Sequence, residues 1–271
     1  MFGFALNHMT LAKASYAELL KISEALECVG IEVRNDLNRP LFDGLSAKAA
    51  GQAARDANLS ILALAEVCAF DDFSPEKLAA AQSLMRLAVD CGAQAISLIP
   101  RNDAHSASDI ERQDNLIGVL RQLQPLLEDH GLIALIEPLG FSSCSLRSKQ
   151  DAVAAIGALD AAHCFKLVHD TFHHHVSGGG PVFAEHTGIV HVSGVVDAMA
   201  ASQMLDADRI LVDEHDQLGN IAQLRQLLED GYQGPVSFEA FAPAVHDLPD
   251  HLQALRASCQ FITSRLHQLA A

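Results

Sequence analysis

Four short apolar segments of this chain each end in, or contain, a side chain that can bind a metal ion. Glu137 and Glu239 each follow such a segment, Asp170 closes a third, and His191 lies within a fourth. Three carboxylates buried together without a cation would be very costly. One divalent ion bound by all four side chains removes that cost, and three oxygens and one nitrogen suit Mn²⁺, Mg²⁺, Co²⁺ or Zn²⁺.

The elements that must position these residues are eight short apolar runs separated by amphipathic stretches. Several runs are continuously apolar, as expected for parallel strands covered on both faces. Eight such units without a break in composition predict an α/β fold, a single-domain (β/α)8 TIM barrel over residues 1–271. The runs are Phe2–Asn7, Gly30–Asp36, Ser60–Val67, Ala93–Pro100, Leu132–Pro138, Phe165–Thr171, Ile189–Val195 and Val236–Ala242.

Local signals predict where the intervening helices begin and end. Ser15-x-x-Glu18 and Ser108-x-x-Glu111 are typical capping boxes, and Ser74-Pro75 is typical of a cap followed by proline in the first turn. The sixth crossover contains three consecutive glycines, residues 178–180. No strand leads into them and no Lys-Ser or Lys-Thr follows, so we interpret them as a flexible loop rather than a phosphate-binding loop. Glycines predicted to close helices are Gly30, Gly92, Gly131 and Gly231.

The four ionisable residues fall on four consecutive predicted strands, five to eight. In a barrel of this kind, active sites lie where the strands end and the following loops begin. A single Glu or His after a strand is usually a solvated loop residue or a hydrogen-bonded core group. The joint occurrence of four such residues on consecutive strands favours instead a metal centre with open positions for a substrate. The spacing does not select the metal.

These residues resemble the signature of the xylose-isomerase-like TIM barrels. The resemblance rests on Glu137-Pro138, Asp170-x-x-His173, His191-Val192 and Glu239, and it is strongest between residues 131 and 243. It continues more weakly over the rest of the chain. Within that family, the sequence most resembles the inosose (2-keto-myo-inositol) isomerases.

The resemblance implies a role for each matching residue. It implies metal ligation by Glu137, Asp170, His191 and Glu239, and substrate contacts by His173, Arg209, Glu32 and Asn7. The chain departs from its relatives after the arginine, at residues 212–220, and after His191, where Val192-Ser193-Gly194 follows. Both departures fall near the expected substrate pocket, so they bear on substrate identity more than on metal binding.

The implied activity is metal-dependent proton transfer on a keto-sugar or keto-inositol, most simply isomerisation of 2-keto-myo-inositol. Glu137 and Glu239 are the expected catalytic pair, one removing a proton next to the carbonyl and the other returning it to the neighbouring carbon. The alternatives are an inosose dehydratase, which would expel a hydroxyl, and a ketohexose 3-epimerase. A barrel that keeps the metal but only binds a ligand is a further alternative.

Composition limits the partners. The formal charge of −16 opposes binding to nucleic acid or anionic lipid, so we expect a small sugar or cyclitol as the partner and a possible homo-oligomer. An apurinic endonuclease of the same family would need histidines after strands three and four, where the chain has Ala65-Glu66-Val67 and Ile99-Pro100-Arg101.

Six scattered cysteines and the lack of a signal peptide or a long apolar span predict a cytoplasmic protein.

Overall fold

Eight parallel strands close into a barrel in the computed structural model, which describes residues 2–72 and 74–270. Each strand pairs with the next along the chain, and β8 pairs with β1 to close the ring. The predicted (β/α)8 barrel is therefore confirmed. Residues 1, 73 and 271 of the predicted domain lie outside the description. The strands are β1 Phe4–Asn7, β2 Gly30–Arg34, β3 Ser60–Cys68, β4 Ala95–Ile99, β5 Ile133–Ile136, β6 Phe165–Asp170, β7 Thr187–Val192 and β8 Val236–Phe238.

Helices surround the barrel and connect its strands. Among the described residues, none of these helices is long and apolar enough to cross a bilayer. The helices are α1 Tyr16–Ala25, α2 Ala47–Asp56, α3 Pro75–Cys91, α4 Asp109–His130, α5 Lys149–Ala158, α6 Thr171–Val176, α7 Asn220–Glu229, α8 Pro243–His246 and α9 His251–Ala270.

The helix boundaries follow the predicted signals, with one exception. Ser15 and Ser108 form complete capping boxes, and Ser74 accepts a hydrogen bond from the amide of Lys77. Left-handed Gly92 and Gly131 close α3 and α4. The prediction for Gly30 was wrong, because α1 already ends at Ala25 and Gly30 begins β2. A Cβ atom there would lie 2.5 Å from the carbonyl oxygen of Ser60 on the neighbouring strand, which explains the glycine differently.

The barrel interior is built in layers that lead up to the ionisable residues. Side chains alternate between the two faces of a strand, so residues two positions apart share a face. Leu135 and Val168 belong to a small apolar cluster that is separate from the main core, and Glu137 and Asp170 lie two residues further along the same strands. Ile189 precedes His191 in the same way. The apolar layer therefore supports a polar layer at the carboxyl end of the barrel.

The sixth crossover is irregular, as predicted. Its helix α6 has only six residues and is followed by Gly178, Gly179 and Gly180, all with positive φ. This loop lies at the same end of the barrel as Asp170, since α6 starts directly after β6.

Replacing Gly51 with alanine is expected to destabilise the fold. A Cβ atom at Gly51 in α2 would overlap the backbone carbonyl of Cys91 at the end of α3. Overpacking of this kind costs about 1–3 kcal/mol or more. Gly118→Ala in α4 is the matched control, because nothing lies within 4 Å of the added methyl group. That change should stabilise the fold by about 0.5–1 kcal/mol, since alanine restricts the unfolded chain. Urea unfolding of both variants measures the difference, and equal effects would contradict the packing argument.

Candidate metal centre

The four predicted metal ligands meet at the carboxyl end of the barrel. Glu137 directly follows β5, Asp170 ends β6, His191 is the fifth residue of β7, and Glu239 directly follows β8. Each offers one ligand atom, and these atoms all lie within 4.8 Å of one another. All four side chains are buried, with exposures between 1% and 4%. Folding thus brings together residues that are up to about a hundred positions apart in the chain.

His191 presents its Nδ1 atom to the carboxylates. Nδ1 lies 3.1 Å from Glu239, 3.6 Å from Glu137 and 3.9 Å from Asp170. Among the described residues, this buried nitrogen has no hydrogen-bond partner. The other ring nitrogen, Nε2, lies 3.0–3.1 Å from the two carboxylate oxygens of Glu32. The Nε2–H therefore donates to Glu32, so Nδ1 is the ring nitrogen that faces the three carboxylates and that would bind a metal ion.

Glu32 lies behind His191, on the side away from the other carboxylates. Its side chain is completely buried and also accepts a 2.6 Å hydrogen bond from Ser237. A carboxylate that holds the far nitrogen of a metal-binding histidine is a common supporting arrangement. The structure thus places Glu32 as a support for His191, and the substrate contact expected for it stays a prediction.

Glu239 is surrounded by donors on both carboxylate oxygens. Asn7 and Arg34 donate to Oε1 at 3.0 and 2.8 Å, and Arg209 donates to Oε2 at 2.9 Å. Burial alone would raise the pKa of this carboxyl, but His191, Arg209 and Arg34 outweigh it and hold the pKa far below its usual value. Glu239 is therefore an anion in the metal-free protein.

Glu137 has the opposite environment. Burial, and next the negative charge of Glu239, raise the pKa of Glu137 to about 7. For His191, burial alone would lower the pKa, but the carboxylates of Glu239, Glu32 and Glu137 raise it well above 6.5. Without a metal, the centre thus reduces its negative charge by keeping a proton on His191 and by making Glu137 hard to ionise.

Asp170 joins the centre to an arginine that spans it. Its Oδ1 caps α6 by accepting from the amide of His173 at 2.9 Å, and its Oδ2 accepts from Arg209 at 2.5 Å. The Arg209 guanidinium lies over the rings of Phe241 and Phe172, at 4.5 and 5.1 Å from their centroids. Arg209 is therefore fixed between two aromatic faces, with the buried carboxylates of Asp170 and Glu239 and the more exposed carboxylate of Asp206 as partners.

His173 is buried beside the centre and is held in one orientation. Its Nδ1 accepts a hydrogen bond from the amide of Gly140 at 3.3 Å, so the proton is assigned to Nε2. Burial lowers the pKa of His173, which keeps the ring neutral. A neutral imidazole with Nε2–H available can donate to a substrate oxygen.

The sequence interpretation left two parts of the centre undecided or unseen. From the sequence, Arg34 in the second predicted strand could equally line the pocket or form an ion pair at its rim. In the structure it is 7% exposed and bridges Glu239, Asp36 and Glu66 at 2.7–3.0 Å. Ser237 was missed, although its place two residues before Glu239, on the same strand face, is a signal that could have found it.

The donor set fits a divalent ion. Nδ1 of His191 is a buried nitrogen without a hydrogen-bond partner in the described structure, and it faces three carboxylates. Ligand atoms about 2.0–2.2 Å from one ion lie roughly 3–4 Å from each other. The distances of 3.1–3.9 Å from Nδ1 of His191 to the three carboxylates match that spacing. One nitrogen and three oxygens are ligands that Zn²⁺ and Mn²⁺ accept.

Comparison with known families gives one match over most of the chain. The family described as the xylose isomerase-like TIM barrel matches residues 20–265. No curated protein sequence matches the chain significantly.

Solved structures share the fold over nearly the whole chain. A xylose isomerase domain-containing protein from Salmonella typhimurium is 28% identical, with a TM-score of 0.89, 98% of this chain covered and 97% of that one. The IolI protein, described with a bound zinc atom, is 18% identical at a TM-score of 0.86, with 98% and 99% covered. An L-ribulose 3-epimerase is 15% identical at a TM-score of 0.73, with 99% and 95% covered. The last two likenesses show the fold alone.

Removing the Arg209 side chain is expected to destabilise the metal-free protein. Arg209→Met leaves Asp170 and Glu239 buried without their shared cation, and breaking such a pair costs about 3–5 kcal/mol. The matched control is Arg225→Met, which removes an exposed ion pair with Glu229 and should change stability by less than about 1 kcal/mol. Urea unfolding after chelation measures both variants. A similarly small effect for both would show that Arg209 does not neutralise the centre.

Proposed function

The chain belongs to the xylose isomerase-like TIM barrel family, and from this premise we propose that it is a divalent-metal-dependent isomerase or epimerase of a keto-sugar or keto-inositol. The observation that carries the proposal is the buried cluster of three carboxylates around the unpartnered Nδ1 of His191. The zinc atom described for the structurally similar IolI protein supports the proposal that a protein of this fold binds a metal ion.

Glu137, Asp170, His191 and Glu239 would hold the ion. When bound, a divalent ion polarises a substrate carbonyl and makes the neighbouring C–H more acidic. It would also supply the positive charge that His191 supplies by protonation in its absence. Mn²⁺, Zn²⁺, Mg²⁺ and Co²⁺ all remain compatible with one nitrogen and three oxygen ligands.

Glu137 and Glu239 are the proposed proton-transfer pair. They come from β5 and β8, which lie nearly opposite each other in a ring of eight strands. A substrate between them would expose one carbon to each carboxylate, so that one carboxylate can take a proton and the other can return one to the adjacent carbon. Their environments also differ, since Glu239 is surrounded by cations and Glu137 is not. Paired carboxylates with unequal proton affinity are a common arrangement for acid–base chemistry.

Arg209 and His173 are the proposed donors to substrate oxygens. Both are buried, and both have fixed orientations, because Arg209 lies between two aromatic rings and His173 is held by Gly140. Donors fixed in advance stabilise charge that develops on oxygen without reorganisation. Asn7 donates to Glu239, so it orients that carboxylate, and a substrate contact is the further role proposed for it.

Glu32→Gln is expected to weaken metal binding. The amide keeps the volume but removes the charge that fixes the His191 tautomer, and losing such a partner typically costs 10–100-fold in metal affinity. Ser237→Ala is the matched control, because it removes a hydrogen bond to Glu32 but none to His191. Titration of metal-free protein with Co²⁺, followed by visible absorption, gives the affinities. Equal affinity in Glu32→Gln and the parent protein would remove this role from Glu32.

Proton exchange between substrate and solvent tests the proposed activity. With 2-keto-myo-inositol in D₂O and added Mn²⁺, proton NMR should show an isomeric ketone carrying deuterium. Glu137→Gln and Glu239→Gln should each abolish the exchange, since each removes one of the two proton carriers. Exchange at the parent rate in either variant would exclude that residue from proton transfer.

The product identifies the reaction within the proposed class. An isomeric inosose supports the inositol isomerase, and a deuterated epimer of a ketohexose supports an epimerase. Loss of water to a diketone would replace both by a dehydratase. Binding of these substrates by calorimetry, without exchange or product, would contradict an enzymatic role and favour a binding protein.

A further inference from the structure

A cavity adjoins the metal cluster at Asp170 and His173, between the start of α5, the short helix α6 and the glycine loop at residues 178–180. Its volume is about 360 Å³, within the range of roughly 300–1,000 Å³ that is usual for small-molecule sites. Arg147, Ser148 and Lys149 line one wall, and His174 and the backbone of the glycine loop line another. The proposed function uses none of these residues.

The cavity is electropositive in an acidic protein. Arg147 and Lys149 both line it, and in the described structure neither lies within 4.0 Å of a carboxylate oxygen. Asp170 is the one acidic residue in the lining, and its carboxylate is already bonded to Arg209 and to the amide of His173. Two basic side chains therefore face the same space without an anionic partner, although the chain carries a net charge of −16.

Lys149 is held in place by a chain of hydrogen bonds that gives it no counter-charge. Its Nζ donates to Nδ1 of His169 at 2.7 Å, so the opposite nitrogen of that ring carries the proton and donates to Gln223 at 2.9 Å. An ammonium has three N–H bonds, and only one is used here. Burial lowers the pKa of Lys149 to about 7. An anion in the cavity would stabilise the charged form of Lys149 and raise its pKa again.

Arg147 is fixed in the same way. Its Nε and Nη2 donate to the carbonyl oxygen of Gly140 at 3.3 and 3.1 Å, which leaves the other N–H bonds of the guanidinium free in the described structure. Gly179 and Gly180 have positive φ and no side chain, so they contribute only backbone to the wall that His174 also lines. Together, Arg147 and Lys149 offer more positive charge and more unused N–H bonds than one carboxylate can accept. They match the charge and the oxygen atoms of a phosphate.

We propose that this cavity is a binding site for a phosphate-type oxyanion, either as free phosphate or as the phosphate group of a small ketose phosphate. The glycine loop contributes one wall, and the cations come from the start of α5. Gly179 and Gly180 would thus border a phosphate site although no strand leads into their loop and no lysine follows it. The proposal does not depend on the isomerase function.

Phosphate titration of the intact protein, followed by isothermal calorimetry, tests the site. Lys149→Met should weaken phosphate binding at least tenfold. Arg147→Gln changes the second basic residue of the same wall and should also weaken phosphate binding. Lys48→Met is the matched control, because Lys48 is exposed on α2. The affinity of this variant for phosphate should stay within twofold of that of the parent protein. Thermal unfolding without phosphate shows that each variant is folded.

Three results would overturn the proposal: no saturable phosphate binding, unchanged binding in both Lys149→Met and Arg147→Gln, or loss of binding when metal is removed by chelation. The last would place the anion on a metal ion instead. D-fructose 6-phosphate and D-fructose then distinguish the two sources. Binding of the sugar phosphate at least tenfold tighter than of phosphate or fructose assigns the site to a phosphorylated ligand. Equal binding of phosphate and sugar phosphate assigns it to free phosphate.

Discussion

The cost of burying several carboxylates in one place governs the carboxyl end of this barrel. Glu137, Asp170 and Glu239 are only 1–4% exposed at the carboxyl end of the barrel, so water solvates them poorly. Charge must be compensated from within the protein or by a bound cation. The two buried arginines, the protonated His191 and the raised proton affinity of Glu137 are the internal part of that compensation.

This compensation explains why the polar layer is so strongly connected. Arg209 bridges two ligand carboxylates, Arg34 holds Glu239 from the other side, and Glu32 fixes the ring of His191. A site held in this way is organised before any metal or substrate arrives. Preorganised ligands and donors reduce the reorganisation that binding and catalysis would otherwise require.

A similar mismatch of charge marks the cavity that adjoins the metal centre at the glycine loop. There, cations rather than carboxylates lack partners, and Lys149 is kept in place by His169 and Gln223. The two regions share Asp170 and His173 as boundary residues. An anion bound there would supply the counter-charge that Arg147 and Lys149 lack.

The sequence alone determined the parts of this protein that depend on local chemistry and on strand order. The eight apolar runs, the capping boxes and the residues at strand ends predicted the barrel and the four-residue cluster, because consecutive parallel strands must bring their carboxyl ends together. Only the tertiary structure decided what depends on distances across the barrel. It placed Glu32 behind His191, turned Arg34 inward to Glu239, and brought Lys149 and Arg147 to one cavity. Such contacts join residues from separate units, and no spacing in the chain encodes their direction.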